Sequence, residues 1–155
     1  MTAANRCEVR PSDVRDIYRL AANLRPQDQA EVVALGIDPK RGIRENFRNA
    51  MLRKSYFVDG ELAAMTGVCG SLLSDIGYPY LLTTKLVERV PVSFVKLARE
   101  GIADMLRHKL RLEAYVAADY TKACRFLAAI GFTIGKPEPL GSHGALFRKL
   151  TMVRG

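Results

Sequence analysis

The chain has 155 residues, of which 48% are hydrophobic and 26% charged, and it carries a formal net charge of +8 at pH 7. This length and composition predict a single globular domain over residues 1–155, and they exclude a low-complexity chain. No apolar run approaches the ~20 residues that a membrane-spanning helix needs, and the N-terminus lacks an apolar signal core. The basic excess favours anionic partners, such as nucleic acid or a phosphate-bearing cofactor, without locating a site.

The three cysteines, Cys7, Cys69 and Cys124, are odd in number and form no CxxC pair. This usage predicts a reducing compartment in which the thiols serve as small buried side chains. A catalytic thiol needs a neighbouring histidine, and nothing in the sequence pairs His108 or His143 with a cysteine. No group of residues has the spacing of metal ligands, so we expect neither a nucleophilic cysteine nor a structural metal.

One strand and two or three short helices are predicted for the first third of the chain. The alternating segment Arg6–Arg10 ends at Pro11 and indicates a strand, and Ser12-Asp13 then mark the start of a helix. Pro26 and Pro39 suit the first turns of two further helices. The apolar positions fall at helical spacing: Val14, Ile17, Tyr18, Ala21 and Leu24, then Ala30, Val33 and Ala34, then Ile43, Phe47 and Met51.

The segment Ser55–Gly70 changes to the period of strands and predicts a β-hairpin. Asp59 and Gly60 form its turn, because both central residues of such a turn must tolerate positive φ. Tyr78–Val87 indicates a further strand, and Pro91 opens the next helix. The inner side of that helix is predicted to carry Phe94, Leu97, Ala98, Ile102, Met105 and Leu106.

The last third predicts a strand, a helix and a final hairpin. Leu112–Val116 is rich in residues that suit a covered strand, and Asp119 is the expected N-cap of the following helix. Gly131 suits the left-handed residue that ends this helix. Its apolar face is Ala123, Phe126, Leu127 and Ile130. The hairpin comprises Phe132–Ile134, a loop over Lys136–Gly144, and Ala145–Met152.

This order of elements predicts an α+β domain with a mixed, mostly antiparallel central sheet flanked by helices. Three segments refine the prediction: Val9–Pro11, the hairpin Phe57–Cys69, and Phe126-Leu127 followed by Ile130–Phe132. With these segments, nearly the whole chain resembles the GNAT N-acetyltransferase fold. The resemblance implies transfer of an acetyl group from acetyl-CoA to an amine as the reaction of the family.

A second resemblance covers a similar share of the chain. Its segments are Arg10-Pro11, Leu35–Pro39, Val68–Gly70, Tyr80–Thr84, Phe94…Met105, Tyr115-Val116, and Arg125–Leu127 with Ile130-Gly131. In this order they resemble the internal virion protein A family of short-tailed phages. The resemblance implies an assembly protein of the virion or the host cytoplasm, with other virion proteins as partners and DNA as a further, non-specific partner.

The GNAT resemblance implies a glycine-rich loop whose N–H groups cradle the pyrophosphate of acetyl-CoA. The corresponding segment Lys85–Ser93 has no glycine, Pro91 lacks an N–H donor, and Glu88 repels phosphate. The family's main chain also pairs with the pantetheine arm just before this loop. The candidate cofactor-binding residues are therefore Thr83, Thr84, Lys85, Arg89 and Ser93.

The resemblance also implies a tyrosine, four residues before the Gly-Phe pair, that protonates the leaving thiolate. Leu127 occupies this position, and the asparagine that is usual near the start of the same helix aligns with Tyr120. Glu61 and Glu113 are candidate bases for an amine, provided that burial raises their pKa. Otherwise Glu61 is a solvent-facing turn residue, and Glu113 is an outward residue on a strand.

For nucleic acid, the densest basic stretch comprises Arg41, Arg44, Arg48, Arg53 and Lys54. Arg44 and Arg48 are one helical turn apart and share a face with Arg41, so they can contact phosphates without reading sequence. Tyr78 and Tyr80 form an alternative, protein-binding edge.

These patterns favour a virion-associated assembly protein on a GNAT-like fold whose acetyl-CoA site has degenerated, without a cofactor. An active N-acyltransferase that uses acetyl-CoA is the alternative. A stand-alone nucleic-acid-binding module is a third hypothesis, and it depends on charge alone.

Overall fold

The computed structural model describes residues 5–141 and 143–155. Seven strands, five α-helices and one 3-10 turn follow one another in this part of the chain: β1 Cys7–Pro11, α1 Val14–Asn23, α2 Pro26–Ala34, α3 Pro39–Asn49, β2 Ala50–Val58, β3 Glu61–Cys69, β4 Ile76–Thr83, the 3-10 turn Lys85–Arg89, α4 Pro91–His108, β5 Arg111–Ala117, α5 Thr121–Ala129, β6 Thr133–Leu140 and β7 Ala145–Val153. None of the helices in the described ranges combines the length and the apolarity that crossing a membrane requires.

The strands form one sheet in the order β1-β2-β3-β4-β5-β7-β6. All neighbouring strands run antiparallel except β4 and β5, which are parallel and joined through α4. These two strands pair only through Ile76↔Arg111 and Gly77↔Leu112, although both continue for several residues beyond. They therefore diverge towards their carboxyl ends. The prediction of a mixed, mostly antiparallel sheet within an α+β fold is confirmed.

Helices cover both faces of the sheet. Helices α1 and α3 pack on one face around a buried cluster that contains Ile17, Leu20, Leu24, Ile43, Phe57 and Met65. Helices α4 and α5 share the other face, where the rings of Phe94 and Phe126 stack with centroids 5.3 Å apart. The predicted inner side of α4 is confirmed, with Ala98 and Met105 buried.

Local turn and cap chemistry follows the sequence closely. Asp13 caps α1 by accepting from Arg15 N, and Asp38 caps α3 by accepting from Arg41 N. Asp59 and Gly60 adopt φ of 50° and 82° at the β2–β3 turn, which is the left-handed conformation that the predicted turn requires. These elements begin and end where short-range hydrogen bonding directs them.

The predicted apolar face of α1 is partly wrong. Val14 and Tyr18 are 57% and 51% exposed, whereas Leu20 is fully buried beside Ile17. The helix is rotated so that the buried stripe runs through positions 17, 20 and 24, and the ring of Tyr18 lies beneath the Lys40 ammonium, 4.8 Å away. Helix α3 also ends earlier than predicted, because β2 already begins at Ala50.

Three predicted boundaries change because of tertiary context. Strand β4 ends at Thr83 rather than Val87, and the next residues form the 3-10 turn. Strand β6 continues through the predicted loop to Leu140, because its position at the edge of the sheet tolerates prolines. Asp119 does not cap α5: the N-cap is Tyr120, without a side-chain hydrogen bond, because the chain turns tightly through Tyr120 N to Ala117 O.

Candidate functional site

Helix α2 lies across the gap between the diverging strands β4 and β5. Asp28 Oδ2 accepts hydrogen bonds from Thr83 N at 2.8 Å and Thr83 Oγ1 at 2.9 Å, at the end of β4. Glu31 Oε1 accepts from Ala117 N at 2.7 Å, at the end of β5. The two carboxylates thus satisfy N–H groups that strand pairing leaves free, and they bridge the open end of the sheet.

The local sequence explains how α2 reaches this position. Arg25 N donates to Thr83 O at 2.9 Å, which ties the start of the helix to the end of β4. Pro26 then occupies the first helical position, where its missing N–H is not needed. Asp28 and Glu31 are three residues apart and therefore lie on the same face of the helix. Their face turns towards the gap in the sheet.

Tyr120 joins the pair from the start of α5. Its hydroxyl donates to Asp28 Oδ1 at 3.3 Å, so that Asp28 has three hydrogen-bond donors around one buried carboxylate. Burial raises the pKa of Asp28, and the hydrogen bonds from Thr83 and the nearby Arg25 charge oppose that rise. Burial, together with the Asp28 carboxylate, raises the pKa of Tyr120 to about 12. Tyr120 is therefore a neutral donor at physiological pH.

Glu31 is the group in this cluster that titrates near neutrality. Burial raises its pKa to about 7, and the carboxylates of Asp28 and Asp119 add to the rise, whereas the hydrogen bond from Ala117 N opposes it. Its second oxygen, Oε2, accepts no hydrogen bond within the ranges that the structure describes. A carboxyl group with a pKa near 7 and a free oxygen has the properties of a general base.

The segment after β4 offers an incomplete cradle for the phosphates of acetyl-CoA. Pro91 is the first residue of α4, and no side chain caps this helix, so the N–H groups of Val92 and Ser93 belong to an uncapped first turn. Lys85 and Arg89 are exposed on the 3-10 turn. This segment thus offers a phosphate-bearing ligand two cations and two N–H groups, but no glycine loop.

The pantetheine arm of acetyl-CoA fits the structure less well than the phosphates do. Thr83 is the predicted main-chain partner of the pantetheine arm, yet its N–H and hydroxyl both bond to Asp28. Thr84 is also engaged, since its hydroxyl donates to Leu62 O and accepts from Leu86 N. Residues around β4 therefore fit acetyl-CoA only in part, and the arm pairs with β4 only when Asp28 releases Thr83.

The other predicted bases lie outside this cluster. Glu61 is exposed at the start of β3. Glu113 forms ion pairs with Arg111 at 2.9 Å and Lys149 at 3.5 Å, and its side chain is 15% exposed. Neither shares a hydrogen bond or an ion pair with Tyr120 in the described chain. The structure thus brings Tyr120, and neither glutamate, to the α2 carboxylates.

The predicted nucleic-acid stretch is divided in the structure. Arg41 pairs with Glu45, and Arg53 donates to a main-chain oxygen and stacks over a ring of α3. Lys54 pairs with Asp104 of α4, on the opposite face of the sheet. Arg44 and Arg48 remain exposed on α3, so Lys54 is separated from them by the sheet, and a nucleic-acid role of the stretch stays a prediction.

The alternative tyrosine edge is also divided. Tyr80 packs against the core with a buried hydroxyl that has no hydrogen-bond partner in the described chain, whereas Tyr78 is 48% exposed. His143 is exposed in the turn between β6 and β7.

Sequence reasoning missed Asp28 and Glu31, the two residues that define the site. Both stand in a polar helical segment, and acidic residues on a helix usually face solvent. The one sequence signal was their shared helical face directly after a proline that starts a helix. Only the packing of α2 against both strand ends shows that Asp28 is buried and that Glu31 is partly buried.

No family model matches the chain, and no curated protein sequence matches it significantly. Solved structures do match. The acetyltransferase of the GNAT family from Streptococcus pneumoniae is 14% identical, with a TM-score of 0.63 over 97% of this chain and 100% of that one. The ribosomal-protein-alanine N-acetyltransferase from Brucella melitensis gives a TM-score of 0.71 at 12% identity, over 95% of this chain and 99% of that one. This chain has the GNAT acetyltransferase fold.

The GNAT fold is shared with enzymes of different acceptors. Spermidine N-acetyltransferase from Vibrio cholerae, determined with CoA and spermine, is 9% identical, with a TM-score of 0.68 over 95% of each chain. Identities this low establish the fold alone. These neighbours support the GNAT part of the sequence resemblance and give no support to the phage part.

Proposed function

We propose that the protein is a GNAT-type N-acyltransferase in which Glu31 is the general base. The observation that carries this proposal is the position of Glu31 at the end of β5, where the strands diverge, with a pKa of about 7 and a free Oε2. Structural neighbours that are N-acetyltransferases over nearly the whole chain support the same reaction class.

An amine acceptor is protonated at neutral pH and becomes nucleophilic only when it loses that proton. The amine nitrogen attacks the carbonyl carbon of the acyl thioester, the C–N bond forms and the C–S bond breaks, and the departing thiolate takes a proton from solvent. Glu31 Oε2 receives the proton, and the bond from Ala117 N to Oε1 holds the carboxylate in place. A base with a pKa near the working pH combines sufficient basicity with a large ionised fraction. Tyr120 orients Asp28, and its high pKa keeps its proton on the phenol oxygen.

The proposed site has to open before an acyl thioester can lie along β4. Asp28 releases the N–H of Thr83 when its side chain turns away from β4, while Glu31 keeps its hydrogen bond from Ala117 N. This change breaks the three hydrogen bonds of Asp28, each with a net contribution of about 1 kcal/mol. Substrate binding therefore has to supply free energy on the order of a few kcal/mol to hold Asp28 away from β4.

The test is release of free thiol from acetyl-CoA in the presence of a panel of primary amines and amino-terminal peptides. We expect Glu31→Gln to lower the rate about 10²–10⁴-fold, the usual contribution of a general base. Glu61→Gln and Glu113→Gln are matched controls, and both should retain the wild-type rate. Absence of turnover with every amine, together with no effect of acetyl-CoA on the melting temperature, would contradict the enzyme proposal.

The second candidate function is a virion structural or assembly protein. The glycine-free loop with Pro91, and the engagement of Thr83 by Asp28, favour a GNAT fold that acts through its surfaces. The sequence resemblance to the internal virion protein A family adds the proposed context, with other virion proteins and DNA as partners. Mass spectrometry of purified phage particles from infected cells tests this candidate. A chain that is absent from the particles argues against it.

A further inference from the structure

The loop between β3 and β4 carries the two most exposed leucines of the described chain. Ser74 N donates to Ser71 O at 3.1 Å, which closes a β-turn with Leu72 and Leu73 at its centre. The two leucines are 81% and 98% exposed, so neither contributes to the core. Turn centres usually carry glycine, proline, asparagine, aspartate or serine, which suit the turn backbone. Leucine at both central positions therefore gives the fold no evident benefit.

The turn is held in place by hydrogen bonds from beneath it and within it. Lys109 Nζ donates to Ser71 O and Ser74 O at 2.6 Å each, and the lysine side chain is buried. Ser71 Oγ accepts from Leu73 N at 3.2 Å, and Ser74 Oγ accepts from Ile76 N at 3.1 Å. A backbone that is already ordered reduces the entropy lost on binding a partner. The turn thus presents its two leucines as a preorganised apolar element, the leucine tip.

Three more exposed apolar side chains lie at the same end of the sheet. Tyr78 follows the turn on β4, Leu110 N donates to Asp75 O at 2.9 Å, and Val153 lies opposite Arg111 in the pairing of β5 and β7. The tyrosine, the leucine and the valine are all exposed. Exposed apolar side chains that gather at one place mark an interaction surface, whereas single ones are ordinary.

Cationic groups surround the leucine tip. Lys109 lies directly behind it, and Arg154 donates to main-chain carbonyls at the end of α4, one of which is Lys109 O. No carboxylate pairs with Lys109 or Arg154 in residues 5–141 and 143–155. Asp75 is an exposed carboxylate of the loop, and Arg107 pairs with Asp104 at 3.5 Å. Positive charge thus exceeds negative charge around the tip, so this end of the molecule attracts anions.

A convex apolar tip among cations matches the surface of an anionic membrane. Apolar side chains enter the boundary between headgroups and acyl chains, a tyrosine ring suits the headgroup level, and basic side chains attract anionic lipids. A protein partner would need a preformed pocket for two protruding leucines, whereas a bilayer deforms around them. The combination of shape and charge therefore favours a lipid surface.

We propose that the β3–β4 loop docks the protein on anionic membrane surfaces, with Leu72 and Leu73 inserted below the headgroups and Arg107 and Arg154 among them. The contact is peripheral and requires no membrane-spanning helix. It lies at the amino ends of β4 and β5, whereas the α2 carboxylates lie at the carboxyl ends. A docked molecule therefore keeps the open end of the sheet accessible from the solvent.

The test is cosedimentation with vesicles at about 0.1 M salt, where long-range attraction between surface charges is screened. One set of vesicles is phosphatidylcholine alone, and the other is phosphatidylcholine mixed with phosphatidylglycerol. We expect the wild type to bind the mixed vesicles about fivefold more tightly or better, because basic side chains near an anionic surface add to the affinity. Leu72→Ser with Leu73→Ser should weaken this binding by about tenfold or more, since the apolar insertion is lost.

The matched control is Val14→Ser with Val92→Ser, which removes two exposed apolar side chains from the first turns of α1 and α4. It should bind as the wild type does, and both double variants should keep the wild-type melting temperature. Equal weakening in the two double variants would overturn the proposal. Unchanged binding of the tip variant would also overturn it, because net charge alone would then attract the protein.

Absence of binding to the mixed vesicles would overturn the proposal and leave a protein as the partner of the leucine tip. The vesicle assay contains no acyl donor, so its outcome is independent of the proposed enzyme activity. Acyl transfer by the tip variant at the wild-type rate would show that docking and chemistry use different surfaces.

Discussion

The junction between the two halves of the sheet differs at its two ends. At the amino ends of β4 and β5 the strands pair directly, and Lys109, 2% exposed, donates to Ser71 O and Ser74 O of the preceding loop at 2.6 Å each. At the carboxyl ends the strands separate, and carboxylates of α2 accept from the free N–H groups. A charged side chain thus satisfies free backbone groups at each end of the junction. The Lys109 ammonium donates to carbonyls at the amino ends, and the α2 carboxylates accept from N–H groups at the carboxyl ends.

This difference shows which end of the junction is rigid and which end is able to move when a ligand binds. The paired end is closed by steric fit and by the hydrogen bonds that Lys109 donates to main-chain carbonyls. The open end depends on Glu31, which changes its charge near pH 7, and on Asp28, whose release frees a strand edge. Ligand-dependent movement is therefore expected at the open end.

The largest expected effect comes from filling the paired end with Gly77→Ala. A methyl group at this position meets Val68 Cγ2 at 2.6 Å and Lys109 Cγ at 2.9 Å, so these buried side chains have to shift. We expect a loss of about 3 kcal/mol in the free energy of unfolding, measured by urea denaturation. Gly101→Ala is the control, since a helix interior favours alanine by up to about 1 kcal/mol and the added methyl group meets only the Tyr56 hydroxyl, at 3.1 Å. A Gly77 variant as stable as this control would refute close packing at the paired end.

A smaller loss is expected at the open end from Asp28→Ala. This variant leaves the buried N–H and hydroxyl of Thr83 without their acceptor, at a cost of about 2 kcal/mol. Asp28→Asn keeps an oxygen acceptor and should lose about half as much. Hydrogen exchange at Thr83 should also become faster in the alanine variant, because the bond that protects its amide is gone. Unchanged exchange there would mean that α2 does not close the gap in solution.

The smallest effect is a pH dependence that Glu31 imposes on stability. Its folded-state pKa of about 7 lies above the ordinary value of 4.5, so its ionisation is unfavourable in the fold. Its contribution to stability is fully present below pH 4.5 and is lost as the pH rises through about 7. The change in the free energy of unfolding is at most about 3 kcal/mol, and the partial exposure of Glu31 reduces it.

Thermal melts from pH 4 to pH 8 check this prediction with Glu31→Gln as the reference. The glutamine keeps an oxygen for Ala117 N but does not titrate. The melting temperature of the wild type should therefore fall, relative to that of the glutamine variant, as the pH rises from 4 to 8. Asp28 shifts in the same direction in both proteins and therefore cancels. Parallel melting curves across this range would show that Glu31 is not buried at the open end.

Short-range chemistry made much of the fold predictable. The Asp13 cap and the Asp59-Gly60 turn depend on neighbours within a few residues, and the structure has both. The end of β4 at Thr83 was missed because Lys85–Arg89 has no periodicity that separates a strand from a 3-10 turn. Whether β6 tolerates prolines depends on its place in the sheet, which only the complete strand order reveals.

The candidate site was predictable to a smaller extent. Tyr120 was found because the family resemblance gave its position, and it does reach the buried carboxylates. Asp28 and Glu31 were missed because burial of a charge depends on two strand ends that are more than fifty residues away along the chain. Lys85 and Arg89 are exposed on the 3-10 turn after β4, and their role in cofactor binding stays a prediction.

The prolines at the outer strands have a consequence for association between molecules. Strands β1 and β6 form the two edges of the sheet, and they contain Pro11, Pro137 and Pro139. A proline offers no N–H to an incoming strand, so both edges are poor templates for intermolecular strand addition. The protein is therefore expected to resist sheet-to-sheet aggregation at the high concentrations that calorimetry requires, and its partners are expected at faces and grooves.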